Sequence, residues 1–325
     1  MNIQTKWILG ALLTIVAIIL VGYLVDSPGF FNRMTVMAIP FLLGTLGEIY
    51  AERSGILNLG IEGILSTGAV LGVIATMATG TPWAGVAVAM IGGALLALLF
   101  ATIVINFQGM QVPAGLGLFM FGLGFSGLIG ANYVGLKVNN TFANVEIPGL
   151  ASIPGIGPLL FSHDLLAYIS LLLVPTLWFV LFKTSIGLKL RSVGENPGAA
   201  DASGVNVYLT RYLATCFGGS MAGLAGAYLT LAVTPSWTEG MSAGKGWIVI
   251  ALTIFALWDP FKALIGSWLF GGLFSLQFMI QGQGIPVQLI NIIPYLATLV
   301  VLGLVLLFSE QLGAPSALLK NYERE

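Results

Sequence analysis

The chain has 325 residues, 57% of them hydrophobic and 8% charged, with a formal net charge of −1 and a mean hydropathy of +0.98. A soluble domain draws about 25% of its residues from Asp, Glu, Lys and Arg, so this composition excludes a solvated globule, and the near-zero charge gives no bulk attraction to nucleic acid. Cys216 is the only cysteine, which excludes an intrachain disulfide and any Cys-x-x-Cys metal or redox motif.

No charged residue occurs from Gly63 to Leu136, 74 consecutive positions, or from Ala263 to Ser309, another 47. A membrane-spanning helix takes about 20 apolar residues, so each run holds several spans and the chain reads as an all-α polytopic membrane protein. Gly, Pro and polar clusters divide it into ten predicted spans. They are 7–25, 34–50, 60–79, 83–106, 112–134, 164–182, 211–233, 247–258, 263–281 and 288–308. The start, "MNIQTK" before an apolar run to Val25, has the n- and h-regions of a signal peptide, but "VDSPGFF" lacks a small-x-small cleavage pattern. It reads as a retained first span.

The second and third spans are joined by "GEIYAERSGILNLGIEG", Gly47 to Gly63. Here Glu48, Asn58 and Glu62 border or enter apolar helices while Gly55, Gly60 and Gly63 weaken them. A carboxylate in hydrocarbon costs at least about 2.5 kcal/mol, so Glu62 should face protein or a water-filled cavity. Two readings stand: a broken helix lining or gating a pathway, or a turn pinned by salt bridges such as Glu52 with Arg53. The amides Asn106, Gln108, Asn132, Gln277 and Asn291, together with Phe119, Phe121, Phe125 and Phe278, suit a neutral, flat, polar solute better than an ion. The candidate pathway or gate residues are Glu48, Asn58, Glu62, Asn106, Phe119 and Asn132. His163, the only histidine, falls at a loop edge and reads as structural. One histidine supplies neither a nucleophile-and-base pair nor a metal site, so no catalytic or metal residue is assigned.

Charge then gathers from Lys183 to Arg211, six ionised residues in 29 positions. Within this longest cytoplasmic loop, 183–210, Asn196 can cap a helix starting at Pro197, and Gly204 can stop it in the left-handed conformation. The result is two turns, about 10 Å long, too short to stand alone in water. It must pack on its own domain or on a soluble partner. In the seventh span Gly218, Ala222 and Gly226 recur at i, i+4 and i+8, beside Gly219 and Gly223, a spacing that lets helix backbones approach closely. The eighth span, Trp247 to Trp258, is too short to cross the bilayer fully.

With the N-terminus inside, nine Lys and Arg residues fall on the cytoplasmic side and three (Arg33, Lys137 and Lys245) outside. The positive-inside rule therefore puts both termini in the cytoplasm. Five spans per half makes the two five-helix halves inverted in topology, a frequent transporter plan. The whole of 1–325 reads as a single transmembrane domain. There is no G-x-x-x-x-G-K-[ST] phosphate loop, so any ATP must be bound by another chain.

Three passages, "ERSGILNLGIEG" (Glu52 to Gly63), "VGENPGAADASGVNV" (Val193 to Val207) and "APSALLKNYERE" (Ala314 to Glu325), resemble permease subunits of ATP-binding-cassette importers. The family includes branched-chain amino acid and ribose permeases, and the pattern is most similar to bacterial nucleoside importer permeases. This resemblance implies a ten-span subunit in the bacterial plasma membrane, surrounded by lipid and paired with a second, different permease. It implies a cytosolic ATP-binding subunit and an extracytoplasmic nucleoside-binding lipoprotein, with no cofactor on this chain and no nucleic acid partner. It also implies that the 197–203 helix is the coupling helix seated in the ATPase, with Glu195, Asn196, Pro197, Ala200, Asp201 and Gly204 in that contact. A sugar or other small-solute permease is the alternative within the family. A secondary transporter is the alternative outside it, with Glu62 as its one candidate ion site.

Overall fold

The computed structural model describes residues 29–153, 156–281, 286–308 and 313–324. The expected first span at 7–25 lies outside the described residues. From there on, a helix stands at each predicted span. They are α1 (Phe30–Arg53), α2 (Ile61–Thr79), α3 (Pro82–Ala101) and α4 (Gln111–Gly130), then α6 (Leu165–Lys183), α9 (Val207–Tyr228), α10 (Lys245–Phe255), α11 (Pro260–Ile280) and α12 (Val287–Phe308). One π turn extends α3 to Asn106 and another extends α9 to Val233, while a 3-10 turn extends α4 to Tyr133. Among the described residues seven helices are long and apolar enough to cross a membrane. The eighth predicted span is indeed short, 11 residues in α10.

Helices α1, α2 and α9 form the buried middle, and α4 and α6 are the most exposed of the long helices. The small residues of α9 explain its central place. A Cβ on Gly223 would lie 2.1 Å from the Ala89 carbonyl oxygen of α3, and one on Gly226 would lie 2.0 Å from the Leu65 carbonyl oxygen of α2. Backbone therefore packs on backbone on two sides of α9, which only glycine permits.

Two features at the ends were not expected from sequence. The 183–210 loop holds two helices, not one: α7 (Ser185–Glu195), capped by the Thr184 hydroxyl, precedes the expected α8 (Pro197–Ala202). At the opposite end a small hairpin pairs β1 (Asn144–Glu146) with β2 (Ser162–Asp164), flanking the short α5 (Ile156–Leu160). His163 is buried in β2, its Nε2 2.8 Å from the Leu159 carbonyl oxygen and its Nδ1 3.3 Å from the Asn32 amide nitrogen. That arrangement suits a neutral ring donating from Nε2 and accepting at Nδ1, and burial lowers its pKa below the ordinary histidine value.

Candidate functional site

Helix α1 ends at Arg53, and Gly55, with φ of +94°, reverses the chain. Residues 57–60 then run back beside the last turns of α1. The Asn58 N–H donates to Glu48 Oε1 at 3.1 Å, the Leu57 N–H donates to Gln111 Oε1 at 2.8 Å, and Asn58 Oδ1 accepts from the Gly60 N–H at 2.9 Å. Side chains thus satisfy backbone groups that no helix supplies. The expected Glu52–Arg53 ion pair does not form. Glu52 turns inward, where its Oε2 accepts from Trp258 Nε1 at 2.6 Å, while the Arg53 guanidinium lies 6.0 Å from the Phe182 ring centroid. Hydrogen bonds from N–H groups, not salt bridges, hold this passage.

Glu62 sits at the start of α2 and is 3% exposed. Its Oε1 accepts from the Gly244 N–H at 2.7 Å and its Oε2 from the Gly246 N–H at 2.5 Å. These are the orphan donors at the N-terminus of α10, where the helix dipole favours a negative charge. Eleven residues rise about 16 Å, roughly half of the ~30 Å hydrocarbon core, and the far end of α10 meets Glu52 near the end of α1. Helix α10 is therefore too short to cross that core on its own. Glycine is required at both positions: Gly244 has φ of +76°, and a Cβ on Gly246 would lie 2.5 Å from Glu62 Cα. Phe119 joins this site through an edge contact with Trp247, centroids 5.5 Å apart.

The other pathway candidates are not brought together with these. Asn106 is exposed at the end of the α3 π turn, and Asn132 is exposed in the 3-10 turn at the other end of α4. Phe121 and Phe125 stack on each other on the exposed face of α4. Gln277, Phe278 and Asn291 do converge. With Phe274 and Tyr295 they line a cavity of about 340 Å³ that reaches Thr234, Thr238 and Lys245. Gln277 Nε2 donates to Asn291 Oδ1 at 2.6 Å, Lys245 Nζ donates to the Met241 and Ser242 carbonyls at 3.2 Å each, and the Tyr295 hydroxyl donates to the Ala243 carbonyl.

At the basic end, α8 forms as its sequence dictates. Asn196 Oδ1 accepts from the Ala199 N–H at 3.0 Å, Pro197 opens the helix, and Gly204 takes φ of +82°. Its packing differs from expectation. Ala200 is 4% exposed, turned onto Val193 and Val207, so the free face carries Gly198, Ala199, Ala202 and Ser203. The carboxylates are also engaged within the chain: Asp201 pairs with Arg324 at 3.0 Å, and Glu195 Oε2 accepts from the Ser316 hydroxyl at 2.8 Å.

Those bonds belong to the C-terminal tail, whose position the sequence did not indicate. The Ala317 N–H donates to the Gly194 carbonyl at 2.8 Å, Gln108 Nε2 donates to the Tyr322 carbonyl at 2.9 Å, and Asn321 Nδ2 donates to the Gln108 carbonyl at 2.6 Å. Buried Arg211 bridges the Ser54 and Lys320 carbonyls at 3.2 Å each. The tail thus ties α7 and α8 to the re-entrant passage and the α3–α4 turn. Desolvation and a hydrogen bond to the Asp201 carboxylate hold the Tyr322 phenol above its ordinary range. Among the described residues no cluster of three His, Cys, Asp or Glu side chains is placed to hold a metal.

The family model for the permease component of branched-chain amino acid transport systems matches residues 30–309. A Haloferax volcanii protein with a provisional assignment as a glucose ABC transporter permease is 36% identical, over 92% of this chain and 98% of its own length. The nucleoside ABC transporter permease of Lactococcus lactis is 34% identical over 84% of this chain and 91% of its own. The guanosine ABC transporter permease of Bacillus subtilis is 35% identical over 77% and 82%. With its apolar helices, its half-length α10 and these relatives, the chain belongs to the branched-chain amino acid transport permease family and is a multi-pass membrane permease of an ATP-binding-cassette transporter.

Proposed function

We propose that this chain forms, with a second and different permease, the translocation pathway for nucleosides in an importer. The observation that carries this reading is the cavity of aromatic rings, paired amides and threonines beside α10. A discontinuous helix can hold an anionic solute group at its N-terminus. Here Glu62 already occupies that position, which favours a neutral solute over an amino acid. The two relatives named for nucleoside and guanosine support a nucleoside, and the Haloferax relative favours a sugar as the second reading.

On this reading the basic end faces the cytoplasm, both termini lie there, and ten spans form two inverted five-helix halves in the bacterial plasma membrane. A cytosolic partner binds and hydrolyses ATP, and an extracytoplasmic lipoprotein delivers the solute. Helix α8 is the coupling helix. Asn196, Pro197 and Gly204 set its ends, Glu195, Ala200 and Asp201 seat it on this chain, and Ala199 and Ala202 meet the ATPase. The Asn106 and Asn132 amides lie at the rims of the pathway. The Glu48–Asn58 and Glu62–Gly246 bonds hold its re-entrant wall, with Phe119 against that wall.

The test is ATP-driven uptake of radiolabelled uridine, guanosine and glucose into proteoliposomes carrying the complete transporter. Nucleoside uptake is expected. Glucose uptake without nucleoside uptake would establish the sugar reading instead. Orientation is checked by impermeant labelling of cysteines at Ser192 and Asn139 in a Cys216→Ala background; labelling of Ser192→Cys in intact cells would reverse the sidedness.

A further inference from the structure

The outward face of α6 has a simple order. Leu165, Leu172 and Phe179 lie seven residues apart, on one side of the helix, and each is at least half exposed. Lys183 follows Phe179 at i+4 on the same side and ends the helix. From Leu172 to Lys183 the rise is about 16 Å, close to the depth of one hydrocarbon leaflet.

A lysine at the end of a span ordinarily extends its ammonium away from the hydrocarbon into water. Exposed Lys183 instead holds its Nζ 5.6 Å from the ring centroid of Trp178, a residue more than one turn back along α6. From α7 the Arg191 guanidinium lies 5.3 Å from the Phe182 centroid, and Arg53 of α1 approaches the same ring. Trp178 packs against Phe182 and against Phe261 at the start of α11. The carboxylates that act on Arg53 are Glu195, Asp259 and Glu52. Each is bonded elsewhere: Glu195 to Ser316, Asp259 Oδ1 to the Phe261 and Lys262 N–H groups, and Glu52 to Trp258. Among the described residues no ion pair joins Lys183, Arg191 or Arg53 to any of them.

An apolar strip one leaflet long that ends in two cations and a tryptophan matches a molecule with acyl chains and an anionic head. Basic pockets at the cytoplasmic ends of spans hold such head groups. The first 28 residues of this chain match less well: their charges are Lys6 and Asp26, and Lys6 falls at the basic end on the topology given above. We propose that the surface where α6, α7 and α11 meet binds an anionic phospholipid of the surrounding leaflet, its phosphate between Lys183 and Arg191 and its chains along Phe179 and Leu172. A zwitterionic lipid brings the same chains with an ammonium that these cations repel. The site is independent of which solute the permease carries.

The test uses the complete transporter in phosphatidylcholine vesicles with a trace of phosphatidylglycerol or phosphatidylcholine bearing a photoreactive diazirine in the acyl chain. Cross-linked segments are quantified by mass spectrometry. Phosphatidylglycerol is expected to label residues 165–183 about 25-fold more than phosphatidylcholine, taking about fivefold for each of two cations. Lys183→Gln or Arg191→Gln should lower that preference to about fivefold, and the double variant to about one. Lys183→Arg, which keeps the charge, and Lys137→Gln, outside the patch, should leave it unchanged. Millimolar inorganic phosphate, which has the charge without the chains, should also leave it unchanged. Equal labelling by the two lipids, a preference that survives the double variant, or loss of labelling to inorganic phosphate would overturn the proposal. So would labelling by neither lipid, since a protein segment would then cover α6.

Discussion

Replacing Glu62 tests the central feature of the site. Each Glu62 oxygen takes one backbone N–H of the α10 N-terminus, at 2.7 and 2.5 Å. Hydrogen bonds to a charged group contribute about 1.5–3 kcal/mol each. Glu62→Gln keeps one acceptor and turns an NH2 group toward the other N–H, so it should cost about 2–3 kcal/mol. Glu62→Leu strands both donors and should cost about 3–6 kcal/mol. Glu62→Asp is one methylene short of spanning Gly244 and Gly246 and should resemble Gln. Because 1.4 kcal/mol is a factor of ten, the Gln change should speed hydrogen exchange at the α10 N-terminal amides by about 30- to 140-fold. The assay is exchange mass spectrometry on the purified complex, with uptake measured in parallel. Unchanged exchange at 244–248 in Glu62→Gln would refute the capping role, because no other partner is bonded to those two N–H groups among the described residues.

Ala200→Trp should lower the amount of assembled permease, because that side chain is packed on Val193 and Val207. Ala199→Trp, on the exposed face, should leave the permease assembled while abolishing ATP-driven uptake; equal assembly in both would contradict the assigned faces. Deleting the tail from Ala314 onward removes the Lys320 carbonyl from Arg211 and should expose α7 and α8 to protease. The exposed Asp201–Arg324 pair alone contributes under about 1 kcal/mol, so Arg324→Ala should change the proteolysis rate by less than about fivefold. Burial lowers the pKa of His163, so the folded state binds its proton less readily than the unfolded state does. The stability it contributes is complete above the unfolded value of about 6.5 and falls as pH drops toward the folded value. His163→Gln should flatten the thermal midpoint between pH about 7 and about 5, and an unchanged slope would remove His163 as its source.

The span positions are legible in sequence because an uncharged run of bilayer length has one physical outcome, and α8 is legible because Asn196, Pro197 and Gly204 are local signals. The rest depends on partners far away in the chain. The donors to Glu62 lie 182 and 184 positions off and are backbone groups of glycines, which carry no side-chain signature. Arg211 reaches a carbonyl 109 positions away. The same limit holds at Ala200: smallness at a position says that something approaches closely, not whether the neighbour is a partner or the chain itself, and here it is Val193 and Val207. Glu52 was drawn to its sequence neighbour Arg53, whereas burial selects Trp258, a donor that needs no second charge desolvated.

That choice determines how a half-helix survives in lipid. An 11-residue helix packed among apolar helices has unpaired N–H groups at one end and an abrupt stop at the other. The stop of α10 is strained, since Leu257 and Trp258 have φ of +52° and +54°, at a cost of order 1–3 kcal/mol each. Trp258 offsets it by burying its ring and donating to Glu52, and Glu62 completes the other end. Both carboxylates come from one passage, Glu52 to Glu62, which is as many residues long as α10 itself. The passage reverses at Gly55 and runs back into the bundle, so its two ends meet the two ends of the half-helix. Removing Glu62 leaves the Gly244 and Gly246 N–H groups at the α10 N-terminus uncompensated, which an apolar surrounding tolerates less than water does. Removing Glu52 instead strands the buried Trp258 indole N–H, while the Thr253 and Ile254 carbonyls at the end of α10 stay bonded to the Trp258 and Leu257 N–H groups. The re-entrant passage and the half-helix therefore make one structural unit, each satisfying groups that the other leaves open.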